Sequence, residues 1–297
     1  MSAFVAHYRE ITTDLARLRT ATRGREVDAV YHLSRLVAGA HNLLYRGSRV
    51  RPRRLGRYLF AEVPAELRRS WRPIALAAVL LFVPAAAAFE AVRRSPEAAA
   101  QLVPPEMVDR AETGVGRARD GGGYLPEDMA KLRGPVLASY IATNNVRVTF
   151  SVFAGGVTAG VLTAFMLVFN GVGALGAPLG YYARLGILDQ ILGFVAAHGV
   201  LELAAICVSG GAGFHLAAGL LLPGALTRRD ALVERGRRAL ALVAATVLLL
   251  LVAGLLEGYV SPLVWPLQQK LLIAAATAVM LAGYWMLGWR RAVERGT

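Results

Sequence analysis

Three ionisable residues, His198, Glu202 and His215, stand inside an apolar stretch at 196–223 that is long enough to cross a bilayer. An ionisable group in such a stretch is costly, so it indicates a functional site by default. His198 and Glu202 are four residues apart, which places both side chains on one helical face. An imidazole beside a carboxylate can relay a proton, pair with a buried cation or supply two metal ligands.

The metal hypothesis lacks a third ligand. Catalytic zinc takes three protein ligands, and the HExxH signature is absent from the sequence. His215 is too far from His198 to join it, since a helix rises about 1.5 Å per residue. The sequence therefore predicts no metal, no cofactor and no catalytic residue, and we expect a protein that is not an enzyme.

The composition predicts what positions these residues. The chain has 297 residues, is 56% hydrophobic and has a mean hydropathy of +0.47, which is too apolar for a soluble domain. We expect an all-α polytopic membrane helix bundle in the lipid bilayer of the cell membrane. The net charge of +13 does not indicate nucleic acid, because the arginines flank apolar runs, where they set topology or meet anionic lipid.

Topology follows from the charges. The basic N-terminal region and the basic segment 228–238 are both expected to be cytoplasmic, so an even number of crossings must separate them. Only three clean spans lie between, near 71–92, 134–170 and 198–223. The glycine-rich segment 172–197 is therefore predicted to cross too, as one broken helix or as half-helices inside the bundle. Two more spans complete about six crossings with both termini cytoplasmic; these are 239–260 and 267–287.

Two regions are predicted. Residues 1–70 read as a cytoplasmic amphipathic helical region, whose first two helices are expected to form an antiparallel hairpin. Residues 71–297 form the transmembrane helical domain, with an extracytoplasmic loop at about 95–133 that carries nearly balanced charge.

Other polar residues are predicted at the same membrane level as the His198 helix. The topology brings 144–147 and the start of that helix together at the outer side, so His198 and Glu202 are expected to meet Asn144, Asn145 or Arg147. Glu257 and Lys270 flank a short turn and are expected to form an interfacial ion pair. The predicted intramembrane polar site, functional or structural, comprises Asn144, Asn145, Arg147, Asn170, Gly171, Asp189, His198 and Glu202.

Small residues predict one close helix contact. Gly156 and Gly160 form a GxxxG pair, and Ser209 and Gly213 belong to a small stripe repeating every four residues. Such stripes let membrane helices approach closely. We expect the two pairs to face each other.

Four segments carry a family resemblance: LVAGAHNLLYRGSR at 37–50, IATNNVRVTFSVFAGGVTAG at 141–160, FNGVGALG at 169–176 and HGVLELAAICVSGGAGFHLA at 198–217. Together they resemble the stage II sporulation protein M family of multi-pass membrane proteins. For spore formers the resemblance implies a part in engulfment, as a membrane partner of proteins that remodel peptidoglycan. The family's marked positions correspond here to Asn144, Asn145, Asn170, Gly171, His198, Gly199, Glu202 and Gly213.

The sequence leaves two hypotheses for the function. The resemblance favours a non-enzymatic scaffold that holds other membrane or cell-envelope proteins, and it does not exclude a homo-oligomer. The alternative is a transporter or channel with a polar site between the broken helix and the His198 helix, because discontinuous helices often line substrate sites.

Overall fold

The computed structural model describes residues 2–22, 28–44, 52–119, 134–263 and 265–293. This part of the chain is helical and has no strand, which confirms the all-α fold. The chain divides into two compact units, Met1–Leu55 and Gly56–Thr297. Residues 56–70, expected with the N-terminal region, thus fold with the apolar helices.

The first unit contains α1 (Ser2–Ala21) and α2 (Asp28–Leu44). The two helices touch: the Arg19 guanidinium donates a hydrogen bond to Ser34 Oγ at 3.1 Å, and Leu15 and Val30 are buried. The expected antiparallel hairpin stays a prediction, because residues 23–27 lie outside the described part, as do 45–51 of the basic run that follows.

The second unit holds the remaining helices. The first of them, α3 (Pro52–Arg57), begins in the first unit and ends in the second. The others are a π-helical turn at Tyr58–Glu62, α4 (Val63–Arg69), α5 (Trp71–Arg94), α6 (Pro96–Leu102), α7 (Pro105–Arg119), α8 (Gly134–Ala154), α9 (Val161–Phe169), α10 (Ala177–Arg184), α11 (Leu188–Leu221), α12 (Arg228–Tyr259) and α13 (Leu267–Val293).

Five helical segments of the described part are long and apolar enough to cross a membrane. They are Trp71–Arg94, Val161–Arg184, Leu188–Leu221, Arg228–Tyr259 and Leu267–Leu287. The multi-pass architecture expected from composition is therefore present. The count of six crossings stays a prediction, for which α8, with 21 residues, is the remaining candidate.

The chain reverses at residues 155–160, so the expectation of one helix from 134 to 170 is wrong. A 3-10 turn at Gly155–Thr158 is followed by Ala159 and Gly160, both in the left-handed region (φ 55° and 85°). Across the turn the Thr163 hydroxyl donates to the Val152 carbonyl oxygen at 2.8 Å. Glycine permits this reversal, because a Cβ at Gly155 would lie 2.6 Å from the Thr163 nitrogen.

The glycine-rich segment is broken only near Gly186, and the earlier glycines that the sequence suggested as breaks lie within a continuous helical path. A π-helical stretch, Asn170–Gly176, joins α9 to α10 in one path, Val161–Arg184, and the helix stops only before Gly186, which has φ 74°. The glycines serve close packing on α5 instead. A Cβ at Gly180 would lie 2.5 Å from the Phe89 carbonyl oxygen.

Helix α11 is the centre of the bundle and packs most extensively on α12, α13, α5 and α8. It runs antiparallel to α5, since Gly210 lies against Ala77 and Gly211 against Ile74. It is also antiparallel to α12, since Gly219 lies against Leu232 and His198 against Glu257. Two ends can therefore be defined. The Trp71 end gathers the start of α5, the end of α11 and the start of α12, and the Arg94 end gathers the opposite termini.

The segment after α5 is helical in its described part, where the sequence suggested a loop. Ser95 caps α6, its hydroxyl accepting a hydrogen bond from the Ala98 amide at 3.1 Å. Helix α7 packs on α10: Ala111 and Tyr182 are both buried in one apolar cluster, and the Tyr181 hydroxyl donates to Glu112 Oε1 at 3.2 Å. These contacts fix α6 and α7 on the Arg94 end.

Candidate functional site

Three ionisable side chains meet inside the bundle near its Arg94 end. His198 and Glu202 lie on consecutive turns of α11, and Glu257 faces them from the last turn of α12. His198 Nε2 is 3.8 Å from Glu202 Oε2 and 3.8 Å from Glu257 Oε1. Their side chains are 3%, 16% and 1% exposed respectively. We call this group the His198 cluster.

Neighbouring polar groups orient the cluster. The Asn145 amide of α8 donates a hydrogen bond to Glu202 Oε1. His198 Nδ1 lies 2.8 Å from Ser261 Oγ, and Lys270 Nζ donates to the Ser261 carbonyl oxygen at 2.8 Å. In the described part of the chain, the buried atom Glu257 Oε2 has no hydrogen-bond partner.

The predicted polar residues do not all belong to this cluster. The structure brings Asn145 to His198 and Glu202, whereas Asn144 and Arg147 lie on the exposed side of α8. The Asn170 amide donates to the Met166 carbonyl oxygen of its own helix at 2.7 Å. Asp189 is exposed in the first turn of α11, where a carboxylate favours the helix dipole. Gly171 packs against the Leu81 carbonyl oxygen on α5.

Glu257 of the cluster and its neighbours Ser261 and Lys270 were not predicted to belong to the site. Glu257 and Lys270 were expected as an interfacial pair, but both are buried, at 1% and 5% exposure. Glu257 faces the imidazole, and Lys270 binds a backbone carbonyl. The argument from membrane depth that predicted Asn145 also applies to Glu257, because Glu257 ends an apolar run on the same side of the membrane.

The predicted small residues lie where α11 meets the end of α8 and the chain reversal that follows it. A Cβ on Gly156 would lie 2.8 Å from the Gly213 Cα and nearer still to its carbonyl oxygen. The Ser209 hydroxyl donates to the Thr149 carbonyl oxygen at 2.5 Å. Gly160 lies against α11 as well, beside Ala217. Because Asn145 meets Glu202 and Thr149 meets Ser209, α8 runs parallel to α11.

A second polar cluster lies at the Trp71 end. The buried Ser70 hydroxyl donates to Glu66 Oε1 at 2.9 Å and lies 2.8 Å from His215 Nε2. Arg238 Nε of α12 donates to the same Glu66 oxygen at 2.6 Å. We call this group the Glu66 cluster. Its groups are mutually hydrogen-bonded, so it ties α4, α11 and α12 together.

Comparison with known proteins gives a family and one relative. The family model described as Stage II sporulation protein M matches residues 74–262. An uncharacterized protein of Methanocaldococcus jannaschii is 30% identical over 124 residues, which cover 41% of this chain and 69% of that protein. No solved structure matches the chain. The family match includes all three residues of the His198 cluster.

Proposed function

Because the chain belongs to the stage II sporulation protein M family, we propose that it is a non-enzymatic membrane scaffold for proteins that remodel the cell envelope and its peptidoglycan. The proposal places the protein in the cell membrane with both termini cytoplasmic. It places α6 and α7 on the outer side, where peptidoglycan lies.

The observation that supports this role most is the packing of α6 and α7 on the Arg94 end. Their inner faces share apolar clusters with α5 and α10, so the segment is held in one position. Their outer faces carry exposed charged and polar side chains, among them Glu106, Asp109 and Thr113. A fixed surface of this kind can hold a partner without the entropy cost of ordering a loop.

The packing inside the bundle favours the same role. The His198 and Glu66 clusters are separated along α11 by roughly 25 Å, from the helical rise, and a continuous apolar core fills the space between them. It includes Leu201, Ala205, Val208 and Ala212. Polar contacts at both ends with a packed middle are typical of a rigid frame.

Site-specific crosslinking in native membranes tests the scaffold role. A photoreactive amino acid is placed at Asp109 or Thr113 on α7, and at Leu272 or Val279 on α13 as controls that are exposed but apolar. We expect the α7 positions to yield defined adducts with proteins that bind or cut peptidoglycan. Adducts identical to those of the α13 positions, or none above background, would count against the scaffold.

A transporter is the second candidate, and the buried His198 cluster favours it, because intramembrane ionisable groups often serve proton or ion pathways. Reconstituted protein would then move protons or ions across liposomes. We expect the Glu202→Gln, Glu257→Gln double variant to abolish such flux. Flux no greater than in empty liposomes would remove this candidate.

A further inference from the structure

We infer that His198, Glu202 and Glu257 form a binding site for one divalent first-row metal ion of the zinc or manganese type, held between α11 and α12. The inference does not depend on the scaffold role. It concerns a group of buried side chains, and it holds whether the protein anchors partners or moves ions.

The donor set has the composition and spacing that such an ion requires. One imidazole nitrogen and two carboxylate oxygens lie within 4.8 Å of one another. Ligand atoms about 2.1 Å from a tetrahedral ion are roughly 3.4 Å apart, so the 3.8 Å separations from His198 Nε2 close with small side-chain rotations. A mixed nitrogen and oxygen set suits zinc, iron or manganese.

Hydrogen bonds outside the donor set orient it toward a shared point. Ser261 Oγ lies 3.5 Å from the Leu256 carbonyl oxygen and 2.8 Å from His198 Nδ1. If the hydroxyl donates to the carbonyl, it accepts from Nδ1–H, and the Nε2 lone pair faces both carboxylates. Second-shell bonds of this kind set the tautomer of metal-binding histidines. Asn145 holds one oxygen of Glu202 and leaves the other directed at His198.

The buried Glu257 carboxylate is the independent observation that points to a ligand. Its side chain is 1% exposed, and Oε2 has no hydrogen-bond partner in the described part. A buried carboxylate without partners is expensive. As placed, His198 Nε2 and Glu257 Oε1 are 3.8 Å apart, which is longer than a hydrogen bond. An ion placed between the three side chains reaches all of them.

The net charge of the site is compatible with binding a divalent cation. Among the groups that face the site, Glu202 and Glu257 can supply two negative charges and Lys270 one positive charge, while Asn145 and Ser261 are neutral. A divalent ion would leave the site with one net positive charge when His198 is neutral. Zinc sites made of three neutral histidines carry a larger net positive charge when the ion is bound. The positive charge of Lys270 therefore does not prevent binding.

Metal titration of the purified protein tests the site. The full chain is purified with a tag that lacks histidine, stripped with chelator and titrated with Zn²⁺ and with Co²⁺. We expect one tightly bound equivalent, a rise in the unfolding midpoint and ligand-field absorption from Co²⁺. We expect His198→Gln and Glu257→Gln to weaken binding more than about 100-fold, and Ser261→Ala, which alters only the orientation of His198, about 10–100-fold.

The control is His7→Ala, because His7 is an exposed histidine beside a carboxylate, Glu10, and would bind metal only adventitiously. It should keep full stoichiometry. Unchanged binding in His198→Gln would show adventitious metal and overturn the site. If the cluster variants fail to fold, the test uses the wild-type protein alone. Binding of less than about one fifth of an equivalent of metal, or a Co²⁺ spectrum typical of the hydrated ion, would also overturn the site.

Discussion

Replacing Gly156 with alanine should push the turn Gly155–Thr158, and the end of α8 that leads into it, away from α11. The new methyl group would lie 2.8 Å from the Gly213 Cα, against an ordinary contact of 3.4 Å or more. The turn and α11 must therefore move apart by at least about half an ångström, because backbone atoms cannot rotate away as a side chain would. That movement also lengthens the hydrogen bond between Ser209 and the Thr149 carbonyl.

We expect Gly156→Ala to lower the free energy of unfolding by about 3 kcal/mol, the upper end of typical overpacking costs. At about 2–4 °C per kcal/mol for a chain of this size, the unfolding midpoint should fall by roughly 6–12 °C. The assay is thermal unfolding in one detergent, monitored by exposure of buried Cys207 to a thiol dye. The matched control is Gly199→Ala on α11, where an added Cβ meets nothing within 4 Å. Equal midpoints for the two variants would refute the close contact.

Three further results are expected. Arg238→Ala should lower the free energy of unfolding by about 2 kcal/mol in thermal unfolding. This is less than for a fully buried pair, because a third of the Arg238 side chain is exposed. Adding Glu66→Gln should recover part of the loss, and no recovery would contradict the pairing. The Ser95 hydroxyl holds the pKa of Glu97 below its ordinary 4.5, so this contact stabilises at neutral pH and is lost as the pH falls below 4.5; in Ser95→Ala an NMR titration should find the pKa of Glu97 raised, and an unchanged pKa would contradict this account. A cysteine at Thr113 should react with an impermeant maleimide from outside intact cells, and labelling only in inverted vesicles would reverse the topology.

The sequence was sufficient for the fold class because composition and apolar run length decide it. It could not locate the chain reversal at 155–160, since a run of glycines is compatible both with tight helix packing and with a turn. Which outcome occurs depends on the surface that each glycine meets. Gly171 and Gly180 meet the backbone of α5, whereas Gly160 takes a left-handed conformation.

The candidate site was partly predictable for a similar reason. His198 and Glu202 are conspicuous because they interrupt an apolar run, and membrane level correctly paired them with the region of Asn145. Glu257 looked ordinary, because a carboxylate at the end of a span usually reaches water. Only the three-dimensional packing shows that Ser261, after α12, and Lys270, on α13, lie buried beside the His198 cluster and that solvent is excluded from the Glu257 carboxylate.

The length of α11 has a consequence for the surrounding lipid. Its 34 residues span about 51 Å at 1.5 Å per residue, whereas hydrocarbon in a bilayer is about 30 Å thick. In a bilayer centred on the apolar core between them, the polar clusters at His198 and His215, separated by roughly 25 Å along the helix, would lie just beneath opposite headgroup layers. Thicker bilayers would draw both clusters deeper into hydrocarbon, and thinner ones would admit water to them. Acyl-chain length thus becomes a physical variable that acts on both ends of this helix at once.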